Sequence, residues 1–362
     1  MSGTTAADLT VDIVVNNFNY ARFLPAAIDS ALAQSHERLR TIVVDDGSSD
    51  GSRELLRGYE DRVELVLKGN GGQASALNAG MERSKGDVVI FLDADDVLHP
   101  DAAARAAAAF ASDEAVVRVQ ARMEVIDASG RPTGEIKPPP HMPMPQGDMR
   151  QAELAHPFDL PWLATSANAF RAEALRRILP IPLDGYPVSG ADWYLVHLTT
   201  LLGQVVSLEQ VSAFYRVHGA NQYELATDEI DLAHLRETIG FSRATAGELL
   251  RLAEEIGLPH PPRILSIADL ANRMVVLRLD PGGDPSVGRR RSIFLDAVRA
   301  ARRRTNVSAP MRVAFVAWFA AMALAPRSLA RRLATLFLFP ERRRSLNRTL
   351  GRLQRPGDRA AS

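Results

Sequence analysis

A chain of 362 residues with 46% apolar composition has material for a substantial core, in one large domain or a domain with an appendage. It contains no cysteine, which excludes disulfides and thiolate metal sites. The formal net charge of zero conceals a segregation: residues 281–362 carry 18 arginines against 4 acidic residues, so an acidic body is joined to a basic tail that suits an anionic partner.

The N-terminus shows no basic run followed by an apolar stretch, which argues against a secretory signal. Residues 11–15 read as a β-branched strand that ends in Asn16-Asn17-Phe18-Asn19. A helix is predicted over 22–34, with Phe23, Ala27, Ile28, Ala31 and Leu32 on one side. Strand 39–44 ends in Asp45-Asp46-Gly47-Ser48-Ser49-Asp50, and Asp50 can cap a helix over 53–59. Strand 63–67 follows, then Gly69-Asn70-Gly71-Gly72 and a helix over 73–83. The apolar run 88–92 ends abruptly in Asp93-Ala94-Asp95-Asp96, and Pro100 marks the start of an Ala-rich helix reaching Phe110. Strands separated by helices of this length imply βαβ crossovers and a mainly parallel sheet.

The rhythm then changes. A strand over 116–125 and a turn at 127–130 precede residues 131–161, whose Pro, Met and polar groups have no clean period and predict an active-site loop. Structured elements return at 166–170, 172–179, 190–202 and 205–217. A polar helical region over 223–257 and a helix over 264–279 follow. Residues 313–325 form an apolar run with Phe315, Trp318 and Phe319, too short to span a bilayer comfortably. A second apolar segment, 329–339, contains Arg331-Arg332 and is closed by Arg342-Arg343-Arg344. Such segments fit helices lying in the inner membrane interface or a re-entrant hairpin; the alternative is that they pack on the protein or another subunit.

Polar groups at three strand ends, if the strands are parallel neighbours, share one edge of the sheet and line one crevice. Asp93 and Asp95 are spaced to address one hard divalent cation, magnesium or manganese, which would neutralise a diphosphate. Asp46 can accept from the imide N–H of a base, and the glycines at 69–72, with Lys68 beside them, can bring backbone close to a phosphate or sugar. The plainer alternative is a set of Asx turns and helix caps.

Asn17-Phe18-Asn19, the segment from Val44 to Ser52, Asn78-Ala79-Gly80 and Phe91-Leu92-Asp93-Ala94-Asp95-Asp96 with the following Pro100 together resemble the family 2 glycosyltransferases of GT-A fold. The resemblance is strong over about 10–125, weaker to about 220, and stops before the tail. It implies an α/β fold with a Rossmann-like mixed sheet flanked by helices, followed by a helical C-terminal extension. It also implies inverting transfer of one sugar from a nucleotide-sugar donor, commonly a UDP-sugar, with a divalent metal. The domain plan it suggests is a catalytic domain over 1–220, divided into donor (10–125) and acceptor (126–220) halves. A helical extension over 221–304 and a basic amphipathic tail over 305–362 would follow.

Carried over residue by residue, the resemblance places Asn17 and Phe18 beside the base and Asp46 on it. Lys68, Gly72, Asn78 and Arg216 fall on the nucleotide side, and Asp93 and Asp95 form the metal-binding pair. Asp192, in Gly190-Ala191-Asp192-Trp193, matches the general base, although Ala191 replaces the usual Glu and Asp192 could equally cap its helix. His218, in the segment from Tyr215 to Asn221, would reach the metal or diphosphate. Trp162 and Trp193 could stack on an acceptor sugar or fill the core. The chain lacks the Gln-x-x-Arg-Trp signature of processive members, which suggests single additions to a glycan or lipid-linked acceptor. A location on the cytoplasmic face of the cell membrane, in an oligomer or alone, and no nucleic-acid partner complete the expectation. The competing readings are a degenerate, glycosyltransferase-like binding module at the membrane and a nucleotidyltransferase.

Overall fold

The computed structural model describes residues 5–186, 190–219, 221, 230–280, 282, 287–304 and 306–339. Ala220, the start of the polar helical region at Tyr223, and Arg342-Arg343-Arg344 with the rest of the tail beyond Phe339 lie outside the described residues. The chain divides into two compact units. The first comprises residues 1–151 and 161–224, and the second 152–160 and 225–362.

The first unit is built on one nine-stranded mixed sheet. Strands β1 (Val11–Asn17), β2 (Leu39–Asp46), β3 (Glu64–Lys68) and β4 (Val88–Asp93) are parallel, in the order β3-β2-β1-β4. The near-continuous Val, Ile and Leu runs of β1, β2 and β4 are buried on both faces, as strands covered by crossover helices must be, whereas the edge strand β3 is only partly buried. Helices α1 (Leu24–Leu32), α2 (Ser52–Leu56), α3 (Gln73–Arg83) and α4 (Ala102–Ser112) make the connections. A glycine inside α3 costs about 1 kcal/mol relative to alanine. At Gly80 it is required, because a Cβ there would lie 2.3 Å from Val14 Cγ1 on β1.

Beyond β4 the sheet turns mixed. Strand β8 (Asn168–Arg171) runs antiparallel to β4 and to β6 (Val116–Ile126), and β9 (Gln204–Arg216) lies parallel to β6. A two-residue strand β5 (Val97–Leu98) pairs with the far side of β9. The mixed α/β architecture expected from the resemblance is therefore present. The segment expected to be a loop over 131–161 differs: it holds strand β7 (Pro132–Lys137), antiparallel to β6, and helix α5 (Arg150–Ala155). The residues of β7 are largely exposed, so this edge strand shows no apolar alternation, and its partner rather than its own pattern makes it a strand. Helices α6 (Ala172–Ile178) and α7 (Ala191–Thr200) complete the unit.

The second unit is helical: α8 (Leu232–Glu255), α9 (Ile267–Leu279), α10 (Arg290–Arg303), α11 (Ala309–Leu324) and α12 (Arg327–Leu338). Helix α10 falls within the helical extension expected over 221–304, but its bounds were not predicted, because its inner face is mostly alanine (Ala297, Ala300, Ala301) and gives a faint apolar signal. Phe319 and Met322 of α11 and Ala330 and Ala334 of α12 share a core with Met274, Val275 and Ala297. One side of each apolar tail segment is thus internal packing. Asp159, from the short 152–160 piece, accepts from the backbone N–H groups of Ile267 and Ala268 and the hydroxyl of Ser266, and pairs with Arg304 at 2.8 Å. This carboxylate satisfies the free donors at the start of α9.

Candidate active site

The parallel register fixes the site. Asn17 of β1 stands opposite Asp45 of β2, and Asn16 stands opposite Asp93 of β4, so the three polar strand ends lie side by side at the C-terminal edge of the sheet. That edge is where open α/β sheets place their ligands.

At the β2 end the carboxylates hold turns. Asp45 is buried and accepts from Asn17 Nδ2 (2.9 Å), Arg53 Nε (2.7 Å) and the Ser48 backbone N–H (3.1 Å). Although burial opposes it, these bonds hold its carboxyl below the usual range. Asn17 Oδ1 is buried without a hydrogen-bond partner among the described residues. Asp46, 3% exposed, accepts from the backbone N–H groups of Gly71 (3.0 Å) and Gly72 (2.8 Å) and from Lys68 Nζ (2.5 Å). Gly47 lets this turn meet the glycine turn: its φ is +85°, and a Cβ would fall 2.5 Å from the Asn70 nitrogen. Phe18, next to Asn17, is 42% exposed at the mouth.

The β4 end is crowded with acid. Asp93 Oδ1 accepts from Asn16 Nδ2 (2.8 Å) and Gln73 Nε2 (3.4 Å), while its backbone N–H donates to Ser166 Oγ (3.1 Å). Burial, then the Asp95 charge, push its carboxyl up to about 7, with Asp192 adding to the effect. Asp96 is buried and raised well above the usual range by burial and by Asp95 and Asp93. Its Oδ1 accepts from the Arg216 N–H at 3.0 Å.

Arg216 lies at the end of β9 and is almost fully buried. Its Nε donates to the Asp95 carbonyl (2.7 Å), its Nη1 reaches the Asp127 carbonyl (3.4 Å), and its guanidinium lies 5.1 Å from the Phe23 ring centre. The side chain therefore holds the Asp95–Asp96 backbone. His218 Nε2 meets Asp95 Oδ2 at 3.0 Å, and the ring packs against Phe23 (4.6 Å) and Tyr20 (5.6 Å). Asn221 ties this turn down, accepting from the His218 N–H and donating to the Arg216 carbonyl.

Asp192 sits in the first turn of α7, after Gly190 at φ +81°. Its Oδ1 accepts from the Trp193 N–H (2.9 Å), and burial raises its carboxyl against the smaller influence of that bond and of His197. Trp162 and Trp193 both meet the His197 ring edge-on, at 6.4 and 5.3 Å. Arg118, buried beneath, lies 4.2 Å from the Trp162 ring centre. Asn78 points elsewhere: both ends of its amide bond the Ile181 backbone, at 3.0 and 2.8 Å, so α3 is stapled to the chain ahead of α7.

The sequence reading missed Gln73. At the start of α3 its Nε2 reaches Asp93 and its Oε1 accepts from the Ala191 N–H (3.3 Å), so one side chain joins the Asp93 carboxyl to the helix of Asp192. Its place directly after Gly71-Gly72, at the opening of a helix on the ligand edge, was the available signal.

A family model described as glycosyl transferase family 2 matches residues 12–179. An uncharacterized glycosyltransferase of Nostoc is 32% identical over 219 residues, covering 59% of this chain and 67% of its own. The chain belongs to glycosyltransferase family 2. Among solved structures, TarS of S. aureus (residues 1–349) superposes with a TM-score of 0.52 at 14% identity, covering 91% of each chain. The mannosyltransferase PcManGT of Pyrobaculum calidifontis, solved with GDP-Man and Mn2+, gives 0.50 at 16% identity, covering 94% of this chain and 89% of its own. These likenesses support the GT-A-type fold.

For a family 2 glycosyltransferase, the donor set at β4 suits a divalent cation. Asp93 Oδ2 and Asp95 Oδ1 receive no hydrogen bond among the described residues, and carboxylate oxygens match magnesium or manganese. No three His, Asp or Glu side chains converge into a closed cage among the described residues. An open set of one or two carboxylates completed by substrate phosphates is the usual arrangement for magnesium.

Proposed function

We propose that the protein moves one sugar from a nucleoside-diphosphate sugar to a hydroxyl of a glycan, glycolipid or polysaccharide precursor, with inversion at the anomeric carbon. The observation that carries this reading is the Gln73 bridge, which sets Asp93 and the Asp192 helix at one crevice. Two half-buried acids with raised pKa values then take separate roles.

Phe18, beside Asn17, flanks the base, and Asp46 accepts from it within the turn built by Lys68 and Gly72. Asp93, Asp95 and His218 would hold magnesium or manganese, which when bound neutralises charge on the diphosphate. Arg216 and Asn78 position this machinery through the backbone bonds described above. Asp192 takes the proton of the acceptor hydroxyl as that oxygen bonds to the anomeric carbon, while the bond to the diphosphate oxygen breaks on the opposite face. Nucleoside diphosphate leaves, and no covalent intermediate forms. Trp162 and Trp193 flank the side from which the acceptor enters.

A screen of UDP-, GDP- and dTDP-sugars, read by nucleoside diphosphate release with and without chelator, tests this. Release from at least one donor, lost in chelator and restored by Mn2+, is expected. Full activity in excess chelator defeats the cation assignment, and no release from any donor above an Asp192→Asn control defeats the transfer reading.

A further inference from the structure

Helix α11 buries only Met311, Phe319 and Met322. Pro310, Val313, Ala317, Ala321 and Leu324, spaced at helical period along its other side, are all exposed, Val313 at 68% and Leu324 at 86%. A helix that is apolar all round in a water-facing position lacks a partner for one face. On α12, Leu329, Arg332 and Leu336 form a second exposed row with Arg331 beside it.

The sequence charge along these helices is basic. Between Asp296 and Glu341 it holds eight arginines and no acidic residue; Arg299 and Arg304 are paired with Asp296 and Asp159, and the other six have no carboxylate within their own stretch of sequence. Arg278 and Arg290 also lie over the end of α11, donating to the carbonyls of Met322, Ala325 and Ala323. A second copy docked on this face would bring like charge to like. Exposed apolar side chains flanked by arginines match instead the boundary of an anionic bilayer, with aliphatic groups among the acyl chains and guanidiniums on headgroup phosphates.

We propose that the exposed row of α11, with Leu329, Arg331, Arg332 and Leu336 of α12, is a docking surface for an anionic lipid membrane. The protein then lies on the bilayer without crossing it; no described helix is long and apolar enough to span one. This surface is independent of the transfer chemistry, and its test does not use activity.

Full-length protein is sedimented with vesicles of phosphatidylcholine alone or with about one third phosphatidylglycerol, at low and high salt. Capture by the anionic vesicles alone, weakened by salt, is expected. Val313→Glu with Leu324→Glu, and separately Arg331→Gln with Arg332→Gln, should each reduce partitioning about tenfold or more. The substituted side chains are exposed, so the thermal transition should stay unchanged. Failure of anionic vesicles to capture the protein, or equal capture of both folded variants and the parent, overturns the proposal. A concentration-dependent dimer abolished by Leu324→Glu, without vesicle binding, assigns the face to a second copy and overturns it as well.

Discussion

His218 Nε2 stands 3.0 Å from Asp95 Oδ2, joining the end of β9 to the acidic turn after β4 across 123 positions of sequence. Phe23 and Tyr20 hold the imidazole from the side, so its direction is set by packing as well as by the carboxylate. His218→Ala is therefore expected to weaken Mn2+ binding in the presence of nucleoside diphosphate by about 10–100-fold. Calorimetric titration measures this directly; unchanged affinity removes His218 from the cation site.

Asp192→Asn should lower kcat by about 10²–10⁴ while nucleotide affinity stays at the parental value. The base must be ionised to accept a proton, and burial raises this carboxyl. Activity should therefore climb with pH along a limb lying above the ordinary carboxylate range. A pH–rate profile with no such limb argues for a different base.

Gln73→Leu removes a hydrogen bond to the Asp93 carboxyl and a neutral one from the Ala191 N–H, each contributing about 1 kcal/mol, and should cost roughly tenfold in kcat with little change in donor KM. Gln73→Glu should do worse, because it adds a charge between carboxylates already raised by their surroundings. Wild-type kinetics in both variants would mean that the bridge has no part in turnover.

Cation-free protein should lose stability as pH rises. Folding raises Asp93 to about 7 from an unfolded value near ~4, so its contribution is full below ~4 and is lost as pH approaches 7. A cation favours the ionised carboxylate, so the Tm gain from Mn2+ should grow between pH ~5 and ~7.5. Asp93→Asn should flatten both trends in differential scanning calorimetry.

Asp46→Ala strands the Gly71 N–H and leaves the Gly72 N–H and the Lys68 ammonium with only Asn70 Oδ1 and the Gly69 carbonyl, at an expected cost of about 1–3 kcal/mol in chemical denaturation together with loss of donor binding. Equal stability and donor affinity would show that the Gly71-Gly72 turn stands without it.

What could be read from the sequence follows the strength of local pattern. The strand ends at Asn16, Asp45 and Asp93 were legible because β-branched runs stop at polar residues, and α3 was legible to the residue. Strand β7 and the bounds of helix α10 were not, since β7 depends on its neighbour β6 and α10 packs through alanines. The network escaped for a different reason. Gln73, Asn16 and Ser166 act through one or two polar bonds to distant segments, and no periodicity records such partners. The apolar tail carried a real signal with two meanings. Phe319 and Met322 are core, whereas Val313 and Leu324 on the same helix face water.

The chain leaves the sheet unit at 151, contributes residues 152–160 to the helical unit, and returns at 161 before leaving again after 224. Anyone exchanging helical units between relatives must therefore transplant two pieces of sequence. A graft joined only at 225 would pair a foreign α9 with a native Asp159, whose side chain is 3% exposed and whose partners are Ser266, Ile267, Ala268 and Arg304. A graft that carries 152–160 along with the rest of the helical unit keeps this buried carboxylate with its counter-charge.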